Sequence, residues 1–235
     1  MLSIFLDYFF LFFIYSVIGW FMETIFVGIQ KKRIVDRVFL IGPYCPIYGV
    51  GALVMIFYLT QYKDNILTVF ILGVVICSLL EYITSYVMEK LFKTRWWDYS
   101  NKKFNLNGRI CGFNSLLFGI ASVLVIYFLQ PSLDLFLSRL NYTFLIIFNV
   151  ICFVLFFVDM IISLRVANKF KNTIKGINFK KDSTEEFSRL VRETIMNNNK
   201  ILQQRLYFAF PGIDLKRFRD LKNNISSDIK GLIVK

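Results

Sequence analysis

Residues 81–111 read EYITSYVMEKLFKTRWWDYSNKKFNLNGRIC, and this run decides the fold. Its first turns close an apolar stretch that begins near Ile66 and carries one charged residue, Glu81, before Met88. A segment of about 20 apolar residues is what a helix needs to cross a bilayer core. A basic, aromatic connector follows, with Lys90, Lys93, Arg95, Trp96, Trp97 and Tyr99, and a second apolar stretch opens at Cys111. Apolar, basic, apolar is the order of a membrane helix, a cytoplasmic loop and a returning helix.

Working outward, the pattern repeats. Apolar spans are expected at about Ile4–Ile29, Phe39–Leu59, Ile66–Met88, Cys111–Leu129 and Tyr142–Leu164. The first has Asp7 and no Lys or Arg on its N-terminal flank, unlike a cleavable signal peptide, and is expected to be a retained helix. The 27 phenylalanines and 56% hydrophobic residues in 235 fit no soluble domain of this length. The expected fold is therefore all-α: a polytopic membrane protein of about five transmembrane helices in residues 1–167. Residues 168–235 are expected to form a basic, amphipathic helical tail on the cytoplasmic side. Within it Ser183 to Glu186 fits a helix-capping box, and Phe187, Leu190, Val191 and Ile195 follow at helical period.

The net charge of +12 would raise nucleic-acid binding in a soluble chain, but here topology accounts for it. Of the 28 Lys and Arg residues, all but Lys63 and Arg139 fall on one side of the five-span scheme. That side is expected to be cytoplasmic, placing the N-terminus outside and the C-terminus inside a cytoplasmic membrane. Four scattered cysteines and no histidine give neither a disulfide framework nor an ordinary metal site, and no cofactor is expected.

Polar groups within a bilayer are costly, so their depths are informative. Glu23 lies seven residues before Gln30, and Glu81 seven before Met88, roughly 10 Å from the basic ends of their helices. Asp159 sits at a similar level in the fifth span, and Asn114 enters that layer from the fourth, with Arg109 just below. Glu81, Ser85 and Glu89 share one helix face, as do Tyr15, Gly19 and Glu23. Asn114 or Ser115, Gly119 and Ser122 make a small-residue stripe that lets helices approach. A polar centre open to the cytoplasm is expected from these faces. As scaffolding, its carboxylates would be satisfied by Arg109 and the amides. As a site, its excess of acid would take a cation, a proton or a cationic group.

The flanking loops have their own chemistry. Trp96, Trp97 and Tyr99 suit the headgroup level, and Asp98 suits an ion pair or a cap. Asn105, Asn107 and Gly108 suit a tight turn. The run Gly42-Pro43-Tyr44-Cys45-Pro46-Ile47-Tyr48-Gly49 opens the second span with irregular backbone, as a plain helix start or as a re-entrant turn lining the inner cavity.

Three strings, YSVIGWFMETIF (15–26), GPYCPIYGVGAL (42–53) and LEYITSYVMEKLFKTRWWDYSNKKFNLNGRICGFNSLLFG (80–119), together resemble the bacterial ABC-transporter type IV (CmpB-like) permease family. The resemblance covers about residues 8–165 and leaves the tail aside. It implies a transport component of the membrane, a permease subunit for a small solute. There is no GxxxxGK[ST] phosphate loop, so nucleotide hydrolysis would need a separate ATPase subunit docked on the cytoplasmic loops, with 90–109 the best candidate. Five helices make a small half-permease, so a homodimer is expected. Two other classes stay open: a membrane enzyme acting on a lipid or isoprenoid headgroup, and a non-catalytic scaffold or regulator working through its tail. No catalytic motif favours the enzyme.

Overall fold

In the computed structural model, residues 2–31, 39–92 and 97–176 are described. Helix α1 runs Leu2–Lys31, α2 Pro46–Leu59 with a 3-10 turn Thr60–Tyr62, and α3 Ile66–Phe92. Two short strands, β1 (Asn105–Leu106) and β2 (Ile110–Cys111), pair antiparallel with Asn105 opposite Cys111. Helix α4 (Gly112–Leu124) passes through a π-helical turn (Val125–Leu129) into α5 (Gln130–Leu137), and α6 spans Tyr142–Gly176. Thus the fold is all-helical apart from one hairpin, as expected. The tail's capping box and its amphipathic stripe lie outside the described residues.

Among the described residues, four helical stretches are long and apolar enough to cross a membrane: Ser3–Ile25, Ile66–Phe92, Gly112–Leu137 and Tyr142–Lys169. The second apolar segment differs from its expected course. Residues 39–45 are irregular, and helix begins only at Pro46, the first helical position. The cause is local. Cys45 precedes a proline and is extended (φ −121°, ψ 100°), because the proline ring disfavours helical backbone one residue back. Pro46 itself is tolerated there, since its missing N–H would have had no helical partner. The fourteen residues of α2 reach about 21 Å, short of a bilayer core.

The chain divides into two units, Met1–Thr84 with Tyr99–Ser163, and Ser85–Asp98 with Leu164–Lys235. In the first unit the helices are bound by an apolar cluster that includes Leu11, Tyr15, Ala52, Met55, Leu59, Val69 and Cys77. Phenylalanines stitch α1 to α6, with Phe10 and Phe148 ring centres 5.1 Å apart and Phe12 edge-on to Phe156 at 5.6 Å. Leu67, Ile71, Val75, Leu79 and Ile83 form an exposed stripe at four-residue spacing on α3, while Val69, Gly73, Cys77 and Glu81 face inward. An outward apolar stripe over a buried small and polar one is the pattern of a helix with lipid on one side. Gly73 faces Ser122 of α4 so closely that a Cβ would strike its hydroxyl, and Ser78 donates to Ser115 at 2.8 Å. The expected small-residue stripe of α4 is therefore a helix seam. Asn65 and Asn141 cap α3 and α6, their side-chain oxygens accepting amides two residues on.

The second unit is described over 85–92, 97–98 and 164–176. It holds the last turns of α3, where the Lys90 ammonium lies 6.0 Å from the Tyr86 ring centre, and the end of α6.

Candidate functional site

The loop after α3 builds itself before it builds a site. Asn107 and Gly108 both take left-handed backbone (φ 53° and 66°), and the Arg109 amide closes their turn on the Leu106 carbonyl at 3.0 Å. Such a turn matches strand twist and wants Asn-Gly at its centre. Asn105 braces it from inside. Its amide donates to the Ser100 and Lys102 carbonyls, and its oxygen accepts the Gly108 amide. Tyr99 is pinned by its own amide to the Gly108 carbonyl at 2.8 Å.

That bracing aims three groups at α3. The Tyr99 hydroxyl donates to Glu81 Oε1 at 3.3 Å. The Asn107 side-chain amide donates to the Tyr82 hydroxyl at 3.0 Å, and the buried Arg109 guanidinium lies 5.5 Å from the centre of the Tyr82 ring. Glu81 is 9% exposed, and its second carboxylate oxygen, Oε2, is buried with no hydrogen-bond partner among the described residues.

Glu23 approaches from α1. Tyr48 of α2 donates its hydroxyl to Glu23 Oε2 at 2.9 Å. The two helices come this close because residue 19 is glycine: a Cβ there would collide with Tyr48. Glu23 lies near enough to Glu81 to act on it electrostatically, and Tyr48 senses both Glu23 and Tyr99. Two carboxylates and two phenols thus share one locality.

Asp159 of α6 does something else. Its Oδ1 accepts the Ile41 amide at 3.0 Å and the Ser163 hydroxyl at 2.9 Å, and its Oδ2 accepts the Gly42 amide at 2.8 Å and the Tyr44 hydroxyl at 2.7 Å. The carboxylate is a clasp on the irregular run ahead of α2. That run is tied again where the Cys45 amide meets the Ser16 carbonyl at 2.8 Å. Backbone without helix is tolerated at membrane depth where protein satisfies it, and Asp159 supplies that satisfaction.

Of the expected polar centre, the structure brings Glu23 and Glu81 together and engages Asp159 with residues 41–44. Asn114 sits half-buried in the first turn of α4. Ser85 and Glu89 continue α3 within the second unit, which also holds half-buried Trp97 and exposed Asp98; Trp96 lies outside the described residues. Of the turn residues, Pro43 is exposed, Tyr44 buried and Cys45 half-buried, and the Tyr48 hydroxyl donates to Glu23. The sequence reading overlooked Tyr82 and Ser163. Ser163 was findable, being four residues after Asp159 on one helix face. Among the described residues no group of three or more His, Cys, Asp or Glu side chains could hold a metal ion.

Long apolar helices with inward small and polar faces define a multi-pass membrane protein. The family described as "Putative ABC-transporter type IV" matches residues 10–164, which take in most of α1, all of α2 to α5, the hairpin, α6 as far as Leu164 and both carboxylate sites, and this chain belongs to that family. It is a transport-related membrane protein. No curated protein and no solved structure matches it.

Proposed function

We infer that this chain is the permease subunit of an ABC-type transporter of the cytoplasmic membrane, working with a separate ATPase and handling a small solute at the Glu23–Glu81 centre. One observation carries the reading: a membrane-embedded carboxylate, Glu81, keeps a buried oxygen without a partner beside a second carboxylate. A scaffold would be expected to satisfy that oxygen, because an unmet buried acceptor costs about 1–3 kcal/mol. A site that exchanges a ligand has reason to leave it open. Family membership supports the ATPase partner, and the sequence carries no GxxxxGK[ST] loop of its own. With residues 39–62 counted together as a crossing, the excess of Lys and Arg on one side supports an outside N-terminus and a cytoplasmic opening for the centre.

The test is affinity purification of the tagged full chain, with identification of the subunits that accompany it. Recovery of an ATPase with wild type, and its loss when Lys102, Lys103 and Phe104 are replaced in the loop ahead of β1, is the expected result. A chain that purifies as copies of itself alone removes the ABC reading. The centre would then be tested as a site for secondary transport or headgroup chemistry.

A further inference from the structure

Glu81 presents an incomplete coordination problem. Its carboxylate is nine-tenths buried, with one oxygen on the Tyr99 hydroxyl and the other on nothing among the described residues. Glu23 adds a second negative charge nearby. Two carboxylates drawn out of water repel one another unless a positive charge or a proton joins them. Among the described residues, Glu23 from α1 and Tyr99 from the loop ahead of β1 act on Glu81, Cys77 lies on its own helix, and Tyr48 of α2 joins the centre through Glu23. The locality therefore asks for a cation.

Its donor set narrows which cation. Alkali and alkaline-earth ions want six or so oxygens around them. Here two carboxylates and two phenols are at hand, and both phenols already donate to the acids. A primary ammonium group brings three N–H donors and no acceptor. It can place a donor on the open Glu81 oxygen, and its charge is drawn by Glu23, which lies within electrostatic reach of Glu81. Aromatic side chains add to the attraction for an organic cation. Glu23 is half-buried and Glu81 buried, so Glu23 is the more accessible of the two acids.

We propose that the Glu23–Glu81 centre binds the primary ammonium group of a small organic cation, with Glu81 as its principal partner and Tyr48 and Tyr99 as walls. The proposal rests on the transport reading and narrows its solute to an amine.

The test uses the purified full chain in nanodiscs, with its melting temperature followed while methylammonium chloride is added. Potassium chloride and tetramethylammonium chloride serve at equal ionic strength, the latter having charge but no N–H. A ligand that binds only the folded state raises the melting temperature saturably. Methylammonium is expected to do so in wild type and the two controls not to. Glu81→Gln is expected to raise the half-saturating concentration at least tenfold, and Tyr99→Phe by a few-fold. Equal responses to all three salts overturn the proposal, as does a Glu81→Gln chain that responds like wild type. Should Glu81→Gln fail to fold, Glu23→Gln and the three-salt comparison on wild type decide the matter. Wild type indifferent to every salt refutes the ammonium site and leaves a shared proton as the neutralising cation. An ATPase recovered with a chain that ignores methylammonium removes this proposal and leaves the permease reading standing. Methylammonium binding without an ATPase does the reverse.

Discussion

Replacing Asp159 with Asn tests the clasp on the run before α2, because the change keeps size and shape and alters only donors and acceptors. The carboxylate takes one backbone amide and one hydroxyl on each oxygen. Asparagine keeps a single oxygen. Whichever way its amide turns, its NH2 faces one hydroxyl, from Tyr44 or Ser163, and one backbone amide, from Gly42 or Ile41. The hydroxyl can rotate and accept. The backbone amide cannot, and it loses a bond to a charged acceptor worth about 1.5–3 kcal/mol. With a factor of ten for each 1.4 kcal/mol, local opening of residues 39–46 should become roughly 10- to 150-fold more frequent. Hydrogen exchange by mass spectrometry in nanodiscs reads this directly, with a peptide from residues 66–84 of α3 as internal reference. Faster exchange confined to 39–46 is the expected outcome. Equal protection in both chains would show that Asp159 does not hold the segment. Acceleration in both peptides together would show that it holds the whole fold, and the reasoning would fail on that side too.

Three further substitutions probe separate parts of the molecule. Gly19→Ala puts a Cβ against Tyr48, with the ring Cδ2 only 2.7 Å away, and should cost about 1–3 kcal/mol as α1 and α2 separate; a variant melting like wild type refutes the tight crossing. Tyr15→Phe removes the hydroxyl that donates to buried Gln130 at 2.9 Å, beyond which Gln130 donates to Asp134 at 2.7 Å. Stranding the Gln130 oxygen should cost about 1–3 kcal/mol in thermal unfolding, and a more stable variant would show the chain of bonds to be dispensable. Phe104 is 90% exposed on left-handed backbone (φ 53°), so Phe104→Gly should gain up to about 1 kcal/mol in detergent. A clear loss there would mean that the ring is packed after all.

The helices were legible in the sequence because a bilayer imposes a one-dimensional rule: about 20 apolar residues, then charge. The place where that rule misleads is Phe39–Cys45. Hydropathy sees a continuous apolar segment to Leu59, whereas the backbone obeys Pro43 and Pro46, and hydropathy carries no term for proline. The hairpin turn was readable for the opposite reason, since Asn107-Gly108 is a local signal whose left-handed backbone few other pairs accept. The site was readable only by halves. Depth counting put Glu23 and Glu81 in one layer, because rise per residue is fixed along any helix. It could not say what meets them, because Tyr48 and Tyr99 arrive from other segments, through a glycine at 19 and an asparagine at 105 whose effects are three-dimensional. Asp159 shows the same limit from the other side. Its depth matched that of the two glutamates, yet its oxygens are committed to residues 41–44 and 163, while one oxygen of Glu81 is committed to nothing among the described residues. Equal depth marks the carboxylates a membrane protein has kept at a cost. The partners each one has found separate the acid that closes the fold from the acid left open for a ligand.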